Sequence, residues 1–344
     1  MAVAHALQRA DPGGEVLLVG RRGGMEGGIV AAAGLRMETV AISGVDLSRP
    51  LTVLLAGLRL PAAVLRARRI IRRFGADVVV GAAGYVCVPV VLAARTLRVP
   101  VVLLEQNVVP GRSVRRLSSR ARAVAASFAQ TAARLPGARV VHTGNPVRPE
   151  IAALAPAAMR EAPSHLLVMG GSQGARRIND AVAGGIRHLL EDHPQLRVTH
   201  ACGARDADWA VPVRAGLPES MRERYTVAPF FEDVGERIAA ADIVLMRAGG
   251  SSLAEVSVLG RPMILVPYPH AGGHQVENAR PYVEAGAAVL VPDEELSALR
   301  MREEVGGLLA DPGRWRRMAE ASAAAGRPDA ADRVVALLRE VAAA

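Results

Sequence analysis

A chain of 344 residues, 51% hydrophobic and 22% charged with 34 glycines, is long enough for two packed domains and too apolar for disorder. Its formal charge of +9 rests on arginine alone, and with aromatics at 3% it lacks the stacking platform that single-strand nucleic-acid binders use. The clusters Arg66, Arg68, Arg69, Arg72, Arg73 and Arg112, Arg115, Arg116, Arg120, Arg122 therefore point to acidic lipid or phosphorylated ligands and away from nucleic acid. Cys87 and Cys202 have no CxxC spacing, which indicates small buried residues and neither a disulfide framework nor a zinc site. No apolar run reaches the ~18 residues of a spanning helix. The start, MAVAHALQRADPGG, lacks a basic stretch followed by an apolar one, so the sequence places the chain in the cytoplasm.

Short apolar runs predict strands at Val16 to Val19, Val78 to Val80, Val101 to Leu104, Ala123 to Ala126 and Val140 to His142, separated by helical stretches rich in Ala, Leu and Arg. Within the first of these series, Leu51 to Leu65 followed by the arginines to Arg73 combines an apolar stripe with basic residues. It is either a core-facing helix or one lying on an anionic membrane surface. The prolines at 146, 149, 156 and 163 punctuate a boundary, which divides the chain into domains 1–150 and 164–344. A second alternating series follows, with strands at His165 to Met169, Val198 to Ala201, Tyr225 to Ala228, Ile243 to Met246, Met263 to Val266 and Ala288 to Val291. Such alternation predicts an α/β fold with two domains of parallel sheet covered by helices.

Ligands of open parallel sheets bind beyond the carboxyl ends of the strands. Those positions carry GAAGY (81–85), EQN (105–107), GNPVR (144–148), GGSQGA (170–175), RAGGSS (247–252) and the stretch 267–275, a concentration that predicts one cleft between the domains. In GGSQGARRIND the glycines allow close backbone approach, Ser172 and Gln173 can bond phosphate or ribose, and the helix start favours an anion. The GxGxxG spacing and the P-loop lysine are absent, which disfavours a dinucleotide or kinase-type site. RAGGSSLAE adds a second such turn, where Glu255 either reaches a sugar hydroxyl or simply complements the helix start. In HAGGHQVEN the Gly-Gly insert separates His270 from His274 and no third ligand is near, so no metal is expected and a hydrogen-bonding loop with Gln275 and Asn278 is. Arg148, after Gly-Asn-Pro-Val, is placed to clamp a diphosphate or is one surface arginine among many.

The motifs ISG (42–44), DVVVGAAGYVCVP (77–89), VPVVLLEQN (99–107), TGNPVR (143–148), GGSQGA (170–175), RAGGSSLAE (247–255) and HQVENA (274–279) occur in this order along almost the whole chain. Together they make the sequence resemble the UDP-N-acetylglucosamine transferases of peptidoglycan synthesis. The resemblance implies a GT-B fold of two Rossmann-like domains, the N-terminal one taking the acceptor and the membrane and the C-terminal one taking the UDP-sugar, with a terminal helix packing back towards the N-terminal domain. It implies an inverting transfer of N-acetylglucosamine from UDP-N-acetylglucosamine to undecaprenyl-diphosphate-muramyl-pentapeptide (lipid I), forming lipid II without a cofactor or metal. The alternatives are another GT-B enzyme, such as a glycolipid synthase or UDP-sugar epimerase, or a catalytically impaired UDP-sugar-binding protein.

Carried over position by position, the donor site comprises Asn107, Arg148, Ser172, Gln173, Phe231, Gly250, Ser251, Ser252, Leu253, Ala254, Glu255 and Gln275. Glu255 would bond the ribose, Ser172 and Ser252 the diphosphate, and Gln275 the N-acetylglucosamine hydroxyls. Partners implied are the anionic surface of the inner membrane, met peripherally on its cytoplasmic face, and other proteins of cell-wall synthesis, cell shape and division. Two departures stand out. The chain opens at Ala-Val-Ala-His-Ala-Leu, where the family is already inside its first helix, so the first strand and a GGTGGH-type glycine loop facing the acceptor diphosphate are expected to be missing, and with them the family's candidate base. Leu104 stands where many members have histidine, and Glu105 is the remaining candidate base in that motif.

Overall fold

The computed structural model describes residues 1–21, 26–42, 50–82, 84–171, 174–269 and 273–344, with backbone alone for 26, 29 and 50–56. Two compact units divide the chain: Met1–Pro146 together with Asp329–Ala344, and Val147–Pro328.

In the first unit, β1 (Leu17–Arg21) and β2 (Arg36–Val40) form a two-stranded parallel sheet. A second parallel sheet runs β3 (Val79–Gly81), β4 (Val101–Glu105), β5 (Ala123–Ala126) and β6 (Val140–His142) in that order. The alternation of a strand sorts its side chains to two faces. Val101 and Leu103 join a core with Ile70 and Ile71 of the helix Pro50–Phe74 and Val91 of the helix Cys87–Thr96. Val102 turns the other way, onto Val334, Leu337 and Leu338 of the terminal helix Ala330–Ala343. Cys87 is buried here, and Cys202 is buried in the second unit. The strand Arg36–Val40 is absent from the sequence reading because RMETV is half polar; it is an edge strand whose burial grows only towards Val40.

The second unit holds one six-stranded parallel sheet built from β7 (His165–Met169), β8 (Arg197–Ala201), β9 (Tyr225–Ala228), β10 (Ile243–Met246), β11 (Met263–Leu265) and β12 (Ala288–Leu290). Its order is β12-β11-β10-β7-β8-β9, so the chain first winds outward from β7 and then returns to β7's other edge. Ile243, Leu245 and Ile264 meet Ile178, Val182 and Trp315 in a single core. The domain boundary lies at Pro146–Val147, ahead of the proline-based estimate at 150, because Val147 already packs on Ala254 and Val258 of the second unit.

Gly326 closes the second unit against the helix Gly250–Val258, where a Cβ would lie 2.7 Å from the Ser257 carbonyl oxygen and 2.9 Å from the Val258 Cα. Its φ of −65° suits any residue, so steric contact alone decides the cost of a side chain. Gly326→Ala is expected to lower unfolding stability by ~1–3 kcal/mol, the usual range for overpacking. Urea denaturation of the two proteins measures it, and equal midpoints would show that the helix yields freely.

Candidate functional site

Three adjacent strands of the second unit end in register: Met169 of β7 pairs with Met246 of β10, and Met246 with Leu265 of β11. The turns that follow them therefore emerge side by side. Because the winding reverses between β7 and β10, this is also the switch point at which open α/β sheets leave a crevice. GGSQGA follows β7, RAGG follows β10, and the stretch leading to the helix His274–Glu284 follows β11.

The first turn has to be glycine-rich. A Cβ on Gly170 would lie 2.9 Å from the Ala175 nitrogen, and Gly171 and Gly174 have φ of +77° and +82°. Helix Arg176–Asp192 starts directly behind it and presents unpaired N–H groups and its positive end there. Ser172 and Gln173, the two side chains assigned to phosphate and ribose, lie outside the described residues, as does His270.

The second turn is clamped from two sides. Ala248 and Tyr268 both donate their backbone N–H to Gln275 Oε1, at 3.2 and 2.9 Å, and Asn278 Nδ2 donates to the Ala248 carbonyl at 3.4 Å. Arg247, 14% exposed, donates to the Val266 carbonyl at 2.9 Å, pairs with Asp293 and lies 5.5 Å from the Tyr268 ring centroid. One guanidinium thus ties together the segments after β10, β11 and β12. Gly249 then caps the helix Gly250–Val258, whose first turn leaves the N–H groups of Gly250, Ser251 and Ser252 for an external acceptor.

Ser251 is exposed and Ser252 half-buried. Leu253 and Ala254 are corrections to the carried-over set as side-chain contacts. Leu253 is wholly buried and Ala254 packs on Val147, because a helix sends residues three and four apart to the same face and these two fall on the core side. Glu255 returns to the open side. Its carboxylate accepts from Arg148 Nε at 3.1 Å, bringing together two sequence-expected residues that are distant along the chain. Burial pushes the Glu255 carboxyl up from its ordinary range, and the Arg148 guanidinium works against that rise.

Phe231 is half-buried, with the Arg237 guanidinium 3.9 Å from its ring centroid. In the first unit, Asn107 follows β4, and its backbone N–H and Nδ2 both donate to Glu105 Oε1, at 2.9 and 3.2 Å. The other oxygen, Glu105 Oε2, accepts from the Gly111 N–H at 2.8 Å, and the side chain is 1% exposed. Glu105 as a general base is therefore a further correction. A base needs a free lone pair within reach of substrate, and both of these oxygens hold the 106–111 loop in shape. Among the described residues no three His, Cys, Asp or Glu side chains gather to hold a metal.

Residues 1–126 match the family model of the glycosyltransferase family 28 N-terminal domain, and residues 165–334 match that of its C-terminal domain. The chain belongs to glycosyltransferase family 28. A relative from Desulforudis audaxviator, named UDP-N-acetylglucosamine--N-acetylmuramyl-(pentapeptide) pyrophosphoryl-undecaprenol N-acetylglucosamine transferase, is 38% identical over 99% of this chain and 94% of its own length. The solved structure of Acinetobacter baumannii MurG superposes with a TM-score of 0.77 at 27% identity, covering 98% of this chain and 94% of that one. A UDP-GlcNAc 2-epimerase from Neisseria meningitidis, solved with UDP-GlcNAc bound, reaches a TM-score of 0.69 at 16% identity over 98% and 95% of the two chains, and so shares the fold alone. The fold is that of a GT-B glycosyltransferase, and the family 28 C-terminal domain carries both glycine turns, Arg148 apart.

In this family 28 chain the raised Glu255 carboxyl sets a sign. The fold favours its neutral form, so that contribution to stability is present below the ordinary carboxylate range and is lost as pH rises through the raised value. Glu255→Gln, neutral at every pH, is expected to be at least as stable as the parent at neutral pH while binding UDP more weakly. Thermal melts and calorimetric titration with UDP check the two halves, and unchanged UDP affinity would remove Glu255 from the site.

Proposed function

We propose that this glycosyltransferase moves N-acetylglucosamine from UDP-N-acetylglucosamine to undecaprenyl-diphosphate-muramyl-pentapeptide, forming lipid II. The observation that carries this reading is the pairing of two anion-receptive glycine turns at one switch point with an Arg148–Glu255 pair beside them. The activity named for the 38% identical relative supports it. The glycine turn at 170–175 and the first N–H groups of the helix Gly250–Val258 receive the diphosphate. Glu255 accepts from the ribose hydroxyls, and Arg148, released from it, neutralises charge on the diphosphate. Gln275 spends its carbonyl on Ala248 and Tyr268, which leaves its amide N–H groups to donate to a sugar hydroxyl.

In the reaction the muramyl hydroxyl oxygen forms a bond to the anomeric carbon as the bond from that carbon to the UDP oxygen breaks, with inversion. The bonding pair leaves with UDP, and the hydroxyl proton passes to a base. Stabilisation of the departing diphosphate by Arg148 and the helix ends is an electrostatic contribution aimed at charge that grows during the step.

The helix Pro50–Phe74 supplies the membrane contact. Ala63, Ala67, Ile70 and Ile71 bury one face, whereas Leu58 at 69% and Leu65 at 54% exposure share the opposite face with exposed Arg69 and Arg72. Exposed leucines followed by arginines along one stripe suit peripheral attachment to anionic lipid, at the cytoplasmic face of the membrane. No helix among the described residues is long and apolar enough to cross a membrane. Association with other proteins of cell-wall synthesis is consistent with that placement.

Transfer of labelled N-acetylglucosamine from its UDP donor to a short-chain lipid I analogue tests the activity directly. Transfer to diacylglycerol instead, or release of a free epimer, would select one of the other GT-B chemistries. Binding without turnover would select the impaired binding protein. Arg148→Ala is expected to lower kcat/KM for the donor ~10²-fold, and an unchanged value would return Arg148 to the surface arginines. Leu58→Asp with Leu65→Asp is expected to abolish sedimentation with anionic phospholipid vesicles while leaving transfer to a soluble acceptor intact; undiminished sedimentation would assign the helix to another role.

A further inference from the structure

Directly beneath the 170–175 turn lies a buried polar chain that no family motif contains as a unit. Asn179, on the helix Arg176–Asp192, is wholly buried. Its Nδ2 donates to Asp206 Oδ2 at 2.7 Å and to the Cys202 carbonyl at 2.8 Å, two acceptor-only groups that fix the orientation of the amide. Its Oδ1 therefore faces His200 Nε2 at 2.8 Å as an acceptor, which places the imidazole proton on Nε2. His200 Nδ1, left as the acceptor, takes the Tyr225 hydroxyl proton at 2.9 Å. All the donors point one way, from Tyr225 through His200 and Asn179 to the Asp206 carboxylate. Asp206 Oδ1 also accepts from Trp209 Nε1 at 3.3 Å. Burial lowers the His200 pKa to about 4, so the imidazole is neutral near pH 7, as this hydrogen-bond direction requires.

The end of the chain touches the turn itself. A Cβ on Gly174 would lie 2.9 Å from the Cys202 carbonyl oxygen and 3.0 Å from Asp206 Oδ2. Gly170 donates its N–H to the Ala201 carbonyl at 3.0 Å, one residue before Cys202. The two glycines that bracket the turn thus rest on the end of β8 and on the carboxylate that Asn179 holds. Arg176, the first residue of the helix, is held over the same place: it lies 3.7 Å from Asp206 Oδ1 with its guanidinium 4.2 Å from the Trp209 ring centroid.

We propose that the Tyr225–His200–Asn179–Asp206 chain is a positioning network that sets the placement of Gly170, Gly174 and Arg176, and with it the affinity for the diphosphate of the donor. This inference rests on the donor-site reading above. None of the four residues touches the ligand on this account. They act through the backbone of Gly170 and Gly174 and through Arg176, and a buried chain satisfied at every link holds its geometry more rigidly than surface contacts do. The carboxylate is supplied with donors on both oxygens, which balances a negative group placed so near an anion site.

Asp206→Asn keeps the shape but replaces one of the two acceptor oxygens with a donor amide, so that either Asn179 or the Trp209 and Arg176 side loses its acceptor, and Tyr225→Phe removes only the first donor. Both variants are to be compared with the parent for binding of UDP-N-acetylglucosamine by calorimetry, for KM and kcat, and for hydrogen exchange of backbone amides at 170–178 without ligand. Asp206→Asn is expected to weaken donor binding and raise its KM about tenfold, the effect of leaving one buried partner unmatched, with kcat changed little and exchange in the turn accelerated. Tyr225→Phe is expected to move the same quantities in the same direction by less. A lower melting temperature with donor KM and turn exchange both unchanged would overturn the proposal and make the network ordinary core. If the parent protein itself does not bind UDP-N-acetylglucosamine, the donor reading fails separately. The exchange comparison then still decides the network, with faster exchange at 170–178 upholding its hold on the turn and equal exchange overturning it.

Discussion

The register between β7 and β10 is the constraint on which the two glycine turns, and the donor site proposed at them, depend. Met169 opposite Met246 brings two glycine turns out of the sheet at the same level, and Leu265 opposite Met246 adds the third segment. In a parallel sheet buried on both faces, a one-residue slip would send every core side chain to the wrong side, so the apolar packing that fixes the register also fixes the spacing of the turns. Leu166, Val168, Ile243, Leu245 and Ile264 in one core are thus as much a part of the site as any polar residue.

Above that register the polar side chains divide into those that hold loops and those left to act. Gln275, Asn278 and Arg247 each spend bonds on backbone groups of neighbouring segments. Fixing a loop in advance lowers the ordering entropy that a ligand would otherwise have to supply on binding. Arg148 and Glu255 differ, because each is the other's partner and neither bonds a backbone group in any hydrogen bond described above. A pair with one partner 41% exposed and the other 18% exposed keeps its guanidinium partly in water, and on the proposed function it is the pair that would part for ribose and diphosphate.

Much of this was readable in the residues, and the failures have physical causes. Strands buried on both faces announce themselves as apolar runs, so Ala123–Ala126, His165–Met169 and Ile243–Met246 match their reading to the residue. Arg36–Val40 did not, since an edge strand needs only one apolar face. Motif spacing singles out Glu255 and Gln275 but cannot tell which way a helix turns, and so includes Leu253 and Ala254, whose side chains face the core. Glu105 looked chemically available because a carboxylate in a glycine- and asparagine-containing loop has no visible partner until the loop closes around it. The chain of Asn179, His200, Asp206 and Tyr225 left no local signature at all, for its members sit on separate elements and meet only when β7, β8 and β9 assemble in order.

Arginine shows the same distinction between composition and placement. A net charge of +9 suggests a broadly cationic surface, yet several guanidiniums serve as internal donors. Arg224 bonds the carbonyls of Leu190, His193 and Leu196 where the helix Arg176–Asp192 ends, satisfying acceptors that the helix leaves open. Arg261, 1% exposed, bonds the Ala158 and Ala239 carbonyls, and Arg247 joins three strand ends. Guanidinium suits this work because its planar fork keeps its charge and presents five donors in fixed directions, whereas the lysine ammonium offers three on a compact, more strongly hydrated centre. The field available to an anionic surface is therefore set by the arginines that remain in water. On the helix Pro50–Phe74 those residues follow two exposed leucines along one stripe, so the excess charge acts where apolar contact is also on offer.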